Sequence, residues 1–433
     1  MADSRWSRLI PTRRRVVTYV AVLLGLLLVR LALDIWAGYH VRSVSARLIL
    51  VYGGLDLASL SPPAVKPGEN RARILSAAAA LTERDARGRG ELTAALFGTL
   101  AKDPAKRQAI LRQAVANNRL ALQVLDGVES RPKANWEITY RDGTRMRMPS
   151  LMEIRDLSDV NVAAGLLDLA DENADEAARH ARLGLLLAGS MAQEPNLLVQ
   201  LIRIAVARAQ CRLLRDTLTE GAPSAAALHA LAPPLEEELR QRPVVVGLIG
   251  ELKYRNNVFE GIERGGKPWT GAGEESFTGS AMLAWVLRPA VRVAHARVLE
   301  QDDRTIEYAR LEPFAREARN LRPPSEKPQP WWWRRFVDVF TAGFERAIRW
   351  GDEHRALTTL AATAVALRRC RLDRGSYPTN LDALVPAFLP AVPVDPFTGR
   401  PPEYKLAGAG FEIRVKAPPE AVPVELFDWK VPR

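Results

Sequence analysis

At 433 residues, with 47% hydrophobic and 26% charged content, the chain is long enough for two or three packed units and too apolar for a disordered tail. Sixty-one Lys plus Arg against 50 Asp plus Glu leave a net charge of +11, part of it concentrated in Arg5, Arg8, Arg13, Arg14 and Arg15. The rest of the excess is spread rather than striped and no RNA- or DNA-binding motif is present, so nucleic acid is set aside as a partner, while anionic neighbours such as phospholipid head groups suit a mildly basic surface.

Residues 1–15 read as a basic cytoplasmic tail and 16–39 as a transmembrane anchor. From Val16 to Val29 the run VVTYVAVLLGLLLV holds no charge, and the apolar pattern resumes past Arg30 and Asp34 as far as Ala37. That is about 22 residues, or ~33 Å at 1.5 Å per residue, enough to cross a hydrocarbon core of ~30 Å. Arg30 and Asp34 are four apart and can pair on one helix face, and Trp36 and Tyr39 stand where an interfacial aromatic belt belongs. Arg13, Arg14 and Arg15 place the N-terminus inside by the positive-inside bias, which puts the bulk of the chain in the periplasm or another extracytoplasmic space of a bacterial inner membrane. The run is longer than a signal-peptide core and no small-residue cleavage site follows, so the expectation is an uncleaved signal anchor.

Three prolines between Ser61 and Gly68 mark an extended linker, taken as 40–69. Over 70–326 the apolar spacing is three-to-four almost throughout. It predicts helices at Arg71–Leu81, Glu91–Ala101, Ala105–Leu125, Leu151–Ala170, Ala174–Ala188, Asn196–Thr219, Ser224–Gln241, Val246–Ile262, Ser280–Gln301 and Arg304–Asn320. The stretch NWEITYRDGTRMRM alternates around Asp142-Gly143 and predicts a small inserted hairpin. No fixed repeat period emerges, so the expected fold is mainly α, an irregular α-bundle or α-solenoid behind the membrane helix. Residues 327–351 read as a Trp-rich amphipathic helix, whose apolar stripe either packs into the body or rests on the membrane surface. Trp331, Trp332 and Trp333 open it as a candidate surface contact, and Phe336, Phe340, Phe344, Ala347 and Ile348 continue the apolar face.

The most specific stretch lies in 352–433, expected to be a small α+β module. A helix from Asp352 to Asp373 is stopped by Gly375 in a left-handed position, with Pro378 beyond. Thr379 or Asn380 caps a short helix at Leu381–Val385 that turns Leu381, Leu384 and Val385 to one side. Asp395-Pro396-Phe397-Thr398-Gly399 is a turn, and Tyr404, Leu406, Phe411, Ile413 and Val415 alternate around Gly408 as an antiparallel hairpin. Taken with Tyr377, Leu389 and Pro390, this order resembles the globular part of type II secretion major pseudopilins over about 352–415. The whole chain also looks like uncharacterised membrane-anchored bacterial proteins with that ending. The resemblance implies a module whose Gly375, Tyr377, Pro378, Asp395, Pro396 and Gly399 serve turn, cap and core. The anchor lacks the family's processed Gly and fifth-position Glu, and Glu420, Glu425 and Asp428 are a poor set of calcium ligands, so neither fibre assembly nor an ion site carries over.

No catalytic, cofactor or metal constellation is expected. Gly261 to Lys267 has phosphate-loop spacing, but Pro268 replaces the required Ser or Thr. His40, His180, His229, His295 and His354 stand singly, and Ser190 is in no nucleophile elbow. Cys211 and Cys370 read as buried small side chains, with a single bridge left open. Glu194, Glu236, Glu237, Glu238 and Glu251 suit solvated or Arg-paired helix positions. The leading expectation is a membrane-anchored, non-enzymatic binding or scaffolding protein of the envelope with an envelope protein partner, secretion-related by its ending. Its rival is a hydrolase of wall glycan using a spatial carboxylate pair. Oligomeric state is left open.

Overall fold

The computed structural model describes residues 13–83, 86–97, 103–264, 281–323, 344–418 and 424–432. Trp331, Trp332 and Trp333, with most of the segment 327–351, lie outside the described residues, as does the 265–268 part of the phosphate-loop-like run. Within them the chain is mainly helical, with one long apolar helix near the N-terminus and a three-stranded antiparallel sheet near the C-terminus.

Helix α1 (Arg13–Tyr52) runs unbroken for 40 residues. It extends well past Tyr39 into the stretch assigned to a linker, because no breaker occurs before Gly53. There a φ of +71° and an N–H bond to the Ile49 carbonyl (2.9 Å) close the helix. Buried Val44 and Leu48 give this outer half a tertiary reason to stay helical. Beyond it, Asp56 caps a short 3₁₀ turn (Leu57–Leu60), and 61–66 is without regular structure, as its prolines require.

Helices α2 (Arg71–Ala80), α3 (Ala86–Phe97), α4 (Pro104–Asn117) and α5 (Arg119–Asp126) follow. The predicted helix Ala105–Leu125 is broken at Asn118, whose side chain accepts from the Glu83 N–H (2.7 Å) and donates to the Ala114 carbonyl (2.8 Å), trading helix continuity for a tie to the end of α2. The predicted hairpin after α5 is not a hairpin. Its alternation is real, since Trp136, Ile138 and Tyr140 are all buried, but the extended chain lies on helices and finds its backbone partners in side chains. The Asn70 side-chain oxygen accepts from the Asn135 N–H (3.0 Å), and the buried Glu194 carboxylate accepts from the Trp136 N–H (3.0 Å) and the Tyr140 hydroxyl (2.7 Å). Alternating apolar residues fix an extended strip, and they do not require a second strand to pair it.

Helices α6 (Leu151–Ala170), α7 (Ala174–Ser190) and α8 (Leu197–Glu220) pack each on the next, with α7 and α8 capped by Asn173 and Asn196. Then come α9 (Ala225–Arg240), α10 (Pro243–Glu263) and α11 (Ala281–Arg310). The break expected near Asp302 and Asp303 is absent because both charges are satisfied sideways, Asp302 by Arg255 (2.7 Å) and Asp303 by Tyr52 (2.7 Å). Pro313 instead separates the short helix α12 (Pro313–Ala318).

A close backbone approach needs glycine at Gly250, where an added Cβ would sit 1.6 Å from the carbonyl oxygen of Pro195, just ahead of α8. Gly250→Ala is expected to lose about 3 kcal/mol, the clash outweighing the ~1 kcal/mol gained in helix propensity. A lower urea midpoint at unchanged m-value checks it.

Helix α13 (Phe344–Arg374) runs straight through the boundary drawn at 352, with Gly351 against Val244. Ala347 and Ile348 are buried against Val244 and Val245, so this part of the apolar stripe packs into the body. Further along, Leu357, Leu360, Ala361, Ala364 and Val365 share one core with Leu214 and Leu218 of α8, Leu231 and Leu235 of α9, and Phe411, Ile413 and Trp429 of the sheet. The C-terminal region and the helical body are therefore built around one core, which a boundary at 352 would cut.

Strands β1 (Glu403–Ala407) and β2 (Gly410–Arg414) form the expected hairpin, with Tyr404 opposite Ile413. Strand β3 (Asp428–Val431) adds to β2 with Trp429 opposite Ile413, an addition the sequence reading missed. The predicted short helix is a 3₁₀ turn, Leu381–Leu384, capped by Asn380. Leu381 and Leu384 are buried while Val385 is exposed, because the turn ends before it.

Candidate functional site

The apolar half of α1 sets the first candidate surface. Its most apolar 18-residue window has a mean hydropathy of 2.5 and none of it is buried, so α1 is long and apolar enough to span a membrane or act as a signal anchor. Leu23 and Leu28 are each 65% exposed, and leaving such side chains in water forgoes about 1.5–3 kcal/mol apiece. Arg13 and Arg14 are exposed at the start of α1, Arg15 follows in the same helix, and Trp36 and Tyr39 are exposed farther along.

Past Val29 the helix stops being free. Arg30 and Asp34 pair at 3.5 Å as their spacing predicts, but Asp34 also takes Arg292 from α11 (3.0 Å), and Arg292 bonds Glu263 of α10 (3.1 Å). Gly38 makes room for it: a Cβ there would lie 2.9 Å from the Arg292 guanidinium. Farther out, His40 faces Glu300 (3.7 Å), and Arg47 and Tyr52 both reach Asp303 (3.4 and 2.7 Å). The helix is thus riveted to the body by ion pairs more than 250 residues apart in sequence, which sequence reading missed.

At the other end, the motif residues build turns. Gly375 has φ +78° and bonds the Arg371 carbonyl (2.8 Å), while Tyr377 sets its ring edge-on to Phe411, 5.0 Å between centres. The Tyr404 hydroxyl donates to the Pro378 carbonyl (2.7 Å). The Asp395 carboxylate accepts from the N–H groups of Phe397 (2.8 Å) and Lys416 (2.9 Å) and from the Thr398 hydroxyl (3.1 Å). Pro396 offers its carbonyl to Phe314 N–H (3.1 Å), and Gly399 (φ +71°) leaves space for the Phe314 ring. Beside this turn lies a groove of about 1100 Å³, walled by the end of α8 and by the sheet, with Arg215, Asp216, Arg400, Arg414 and Lys430 on its rim.

A second cavity, about 490 Å³, lies among α3, α4 and α6. Asp156 and Asp159, one turn apart on α6, line it opposite Lys106, and Arg89 pairs with Asp156 (3.2 Å). Burial pushes the Asp159 carboxyl up to about 7, with Asp156 adding to the shift and Arg155 opposing it. A carboxyl whose folded pKa stands above its ordinary 3.8 holds its proton better when folded, so it costs stability increasingly as pH rises from about 4 to about 7. Asp159→Asn is therefore expected to raise stability by about 1–3 kcal/mol at pH 8 and to be near neutral at pH 4, read by thermal melts at both.

One titratable cluster is sealed. Glu238 of α9 takes Arg203 of α8 (2.7 Å) and His354 of α13 (2.8 Å), all three essentially inaccessible. Burial lowers the His354 pKa against the pull of Glu238, so the neutral ring donates from Nε2. Cys211 and Cys370 are buried and free. No group of three or more His, Cys, Asp or Glu able to hold a metal occurs among the described residues. No family model, curated protein or solved structure matches the chain.

Proposed function

We propose that this chain is a single-pass protein of the bacterial inner membrane, N-terminus inside, whose irregular helical bundle works on the outer side as a non-enzymatic binding or scaffolding component of the envelope. One observation carries the reading. The first half of α1 is an unpacked apolar rod flanked by Arg13 and Arg14, and the second half is pinned to the body by Asp34, Arg292 and Asp303. Such an anchor holds the body in one posture against the bilayer rather than on a loose tether, which suits presenting a surface to a neighbour.

The groove beside the C-terminal sheet is the surface assigned to that neighbour, and the pseudopilin-like ending makes a secretion-related partner the first candidate. A photoreactive amino acid placed at Arg400 in cells should crosslink a discrete envelope protein, identified by mass spectrometry. Crosslinks from Arg400 no different from those of a control at Leu120, 58% exposed on α5, would contradict it. A second reading, hydrolysis of wall glycan, draws on the differing environments of Asp156, paired with Arg89, and Asp159, which keeps its proton near neutrality. It requires that purified glycan be cleaved by the solubilised protein and not by Asp159→Asn.

A further inference from the structure

Helices α1 and α11 run side by side in the same direction. From the inside outward, Arg30 meets Trp285, Asp34 meets Arg288 (3.9 Å) and Arg292, His40 meets Glu300, and Tyr52 meets Asp303. The start of α11 is therefore the part of the body nearest the anchor's apolar half. If the arginines at 13–15 stand at the inner head groups, ~30 Å of hydrocarbon is used up after about 20 residues, near Ile35. Arg30 then lies about 8 Å below the outer boundary.

Trp285 is held at that depth. Its carbonyl accepts from the Arg30 guanidinium, which also stacks 3.8 Å from the centre of its ring. The residues that follow face outward: Trp285, Val286 and Leu287 are 42%, 46% and 39% exposed. Three adjacent exposed apolar residues are costly in water and favourable in acyl chains, at about 1.5–3 kcal/mol for each side chain fully transferred. Arg288, one residue on and half-exposed, has a stem long enough to bring its charge to the head groups.

We propose that the first turns of α11, around Trp285 to Leu287, are immersed in the outer leaflet beside the anchor, as a second lipid-contacting element next to α1. The occupant of this face is the acyl region of the bilayer, because the Arg30–Trp285 contact sets the exposed Val286 and Leu287 beside the exposed apolar half of α1. Arg30, Asp34, Arg288 and Arg292 form the collar where both helices leave the hydrocarbon, each charge held by another. The inference rests on reading α1 as the anchor.

The test uses the full-length protein in phosphatidylcholine and phosphatidylglycerol vesicles, with a nitroxide on a single introduced cysteine, the native Cys211 and Cys370 being buried. Power saturation compares exposure to oxygen, which enters lipid, with exposure to a water-soluble nickel chelate. Val286→Cys should resemble the anchor reference Leu28→Cys, oxygen prevailing several-fold. The outer reference Leu50→Cys, 88% exposed and ~30 Å farther along α1, should show the reverse. Leu287→Cys reads the same face should the first variant fail to fold. A chelate-accessible label at 286 and 287 with Leu28→Cys still in lipid overturns the proposal alone; chelate access at Leu28→Cys overturns the anchor and the proposal together.

Discussion

Glu238→Ala is expected to destabilise the protein by about 3–5 kcal/mol, because it leaves the Arg203 guanidinium buried with its carboxylate gone. The loss should appear as a lower denaturation midpoint for the whole helical signal, since Arg203, Glu238 and His354 belong to three helices of the central core. The combined change of Arg203→Met, Glu238→Leu and His354→Leu should recover much of it, as apolar replacements of buried ion pairs often do. The same cluster sets an acid limit. Burial alone would raise the Glu238 pKa, but Arg203 and His354 hold it down to about 2 against an ordinary 4.5. Its contribution is complete above pH 4.5 and is lost as pH falls toward 2. His354, lowered from 6.5, favours the neutral ring in the fold, so its loss begins as pH drops below 6.5. The contribution of this cluster should fall below that pH, against the opposite trend of Asp159 between about pH 7 and 4, and in Glu238→Ala the part between pH 4.5 and 2 should flatten.

Ending the chain after Gln329 should abolish cooperative folding of what remains. The truncation removes α13, whose Leu357, Leu360, Val365 and Leu367 are 0–1% exposed within the core shared with α8 and α9. Four such burials at about 1.5–3 kcal/mol each rival the 5–15 kcal/mol by which a domain is ordinarily stable. The truncated protein should show helical signal without a sharp melt, or precipitate. A sharp transition within a few degrees of wild type would restore a separate C-terminal module.

How much of this was legible in the sequence follows from where the determining contacts lie. The apolar half of α1 could be read because a long apolar run with few charges is a local property. Its outer half could not, because Arg292 and Asp303 lie more than 250 residues from the residues they hold. The C-terminal turns were legible for the same local reason: Gly375, Asn380 and Gly399 each solve a backbone problem within a few residues. Strand β3 was missed because two buried positions, Trp429 and Val431, are too few to declare a period. Trp136, Ile138 and Tyr140 misled because alternation reveals a buried face without naming what covers it, here helices and the Glu194 carboxylate. Asp156 and Asp159 drew no notice in sequence, since a cavity is made by three helices and belongs to none.

Protease protection of a C-terminal epitope tests the central claim most directly. The tagged full-length protein should resist alkaline carbonate extraction, lose its tag to protease added to intact spheroplasts, and keep it in sealed inside-out vesicles. Extraction by carbonate, or a tag protected in spheroplasts and digested in inside-out vesicles, would contradict an α1 that crosses the membrane with the helical body outside.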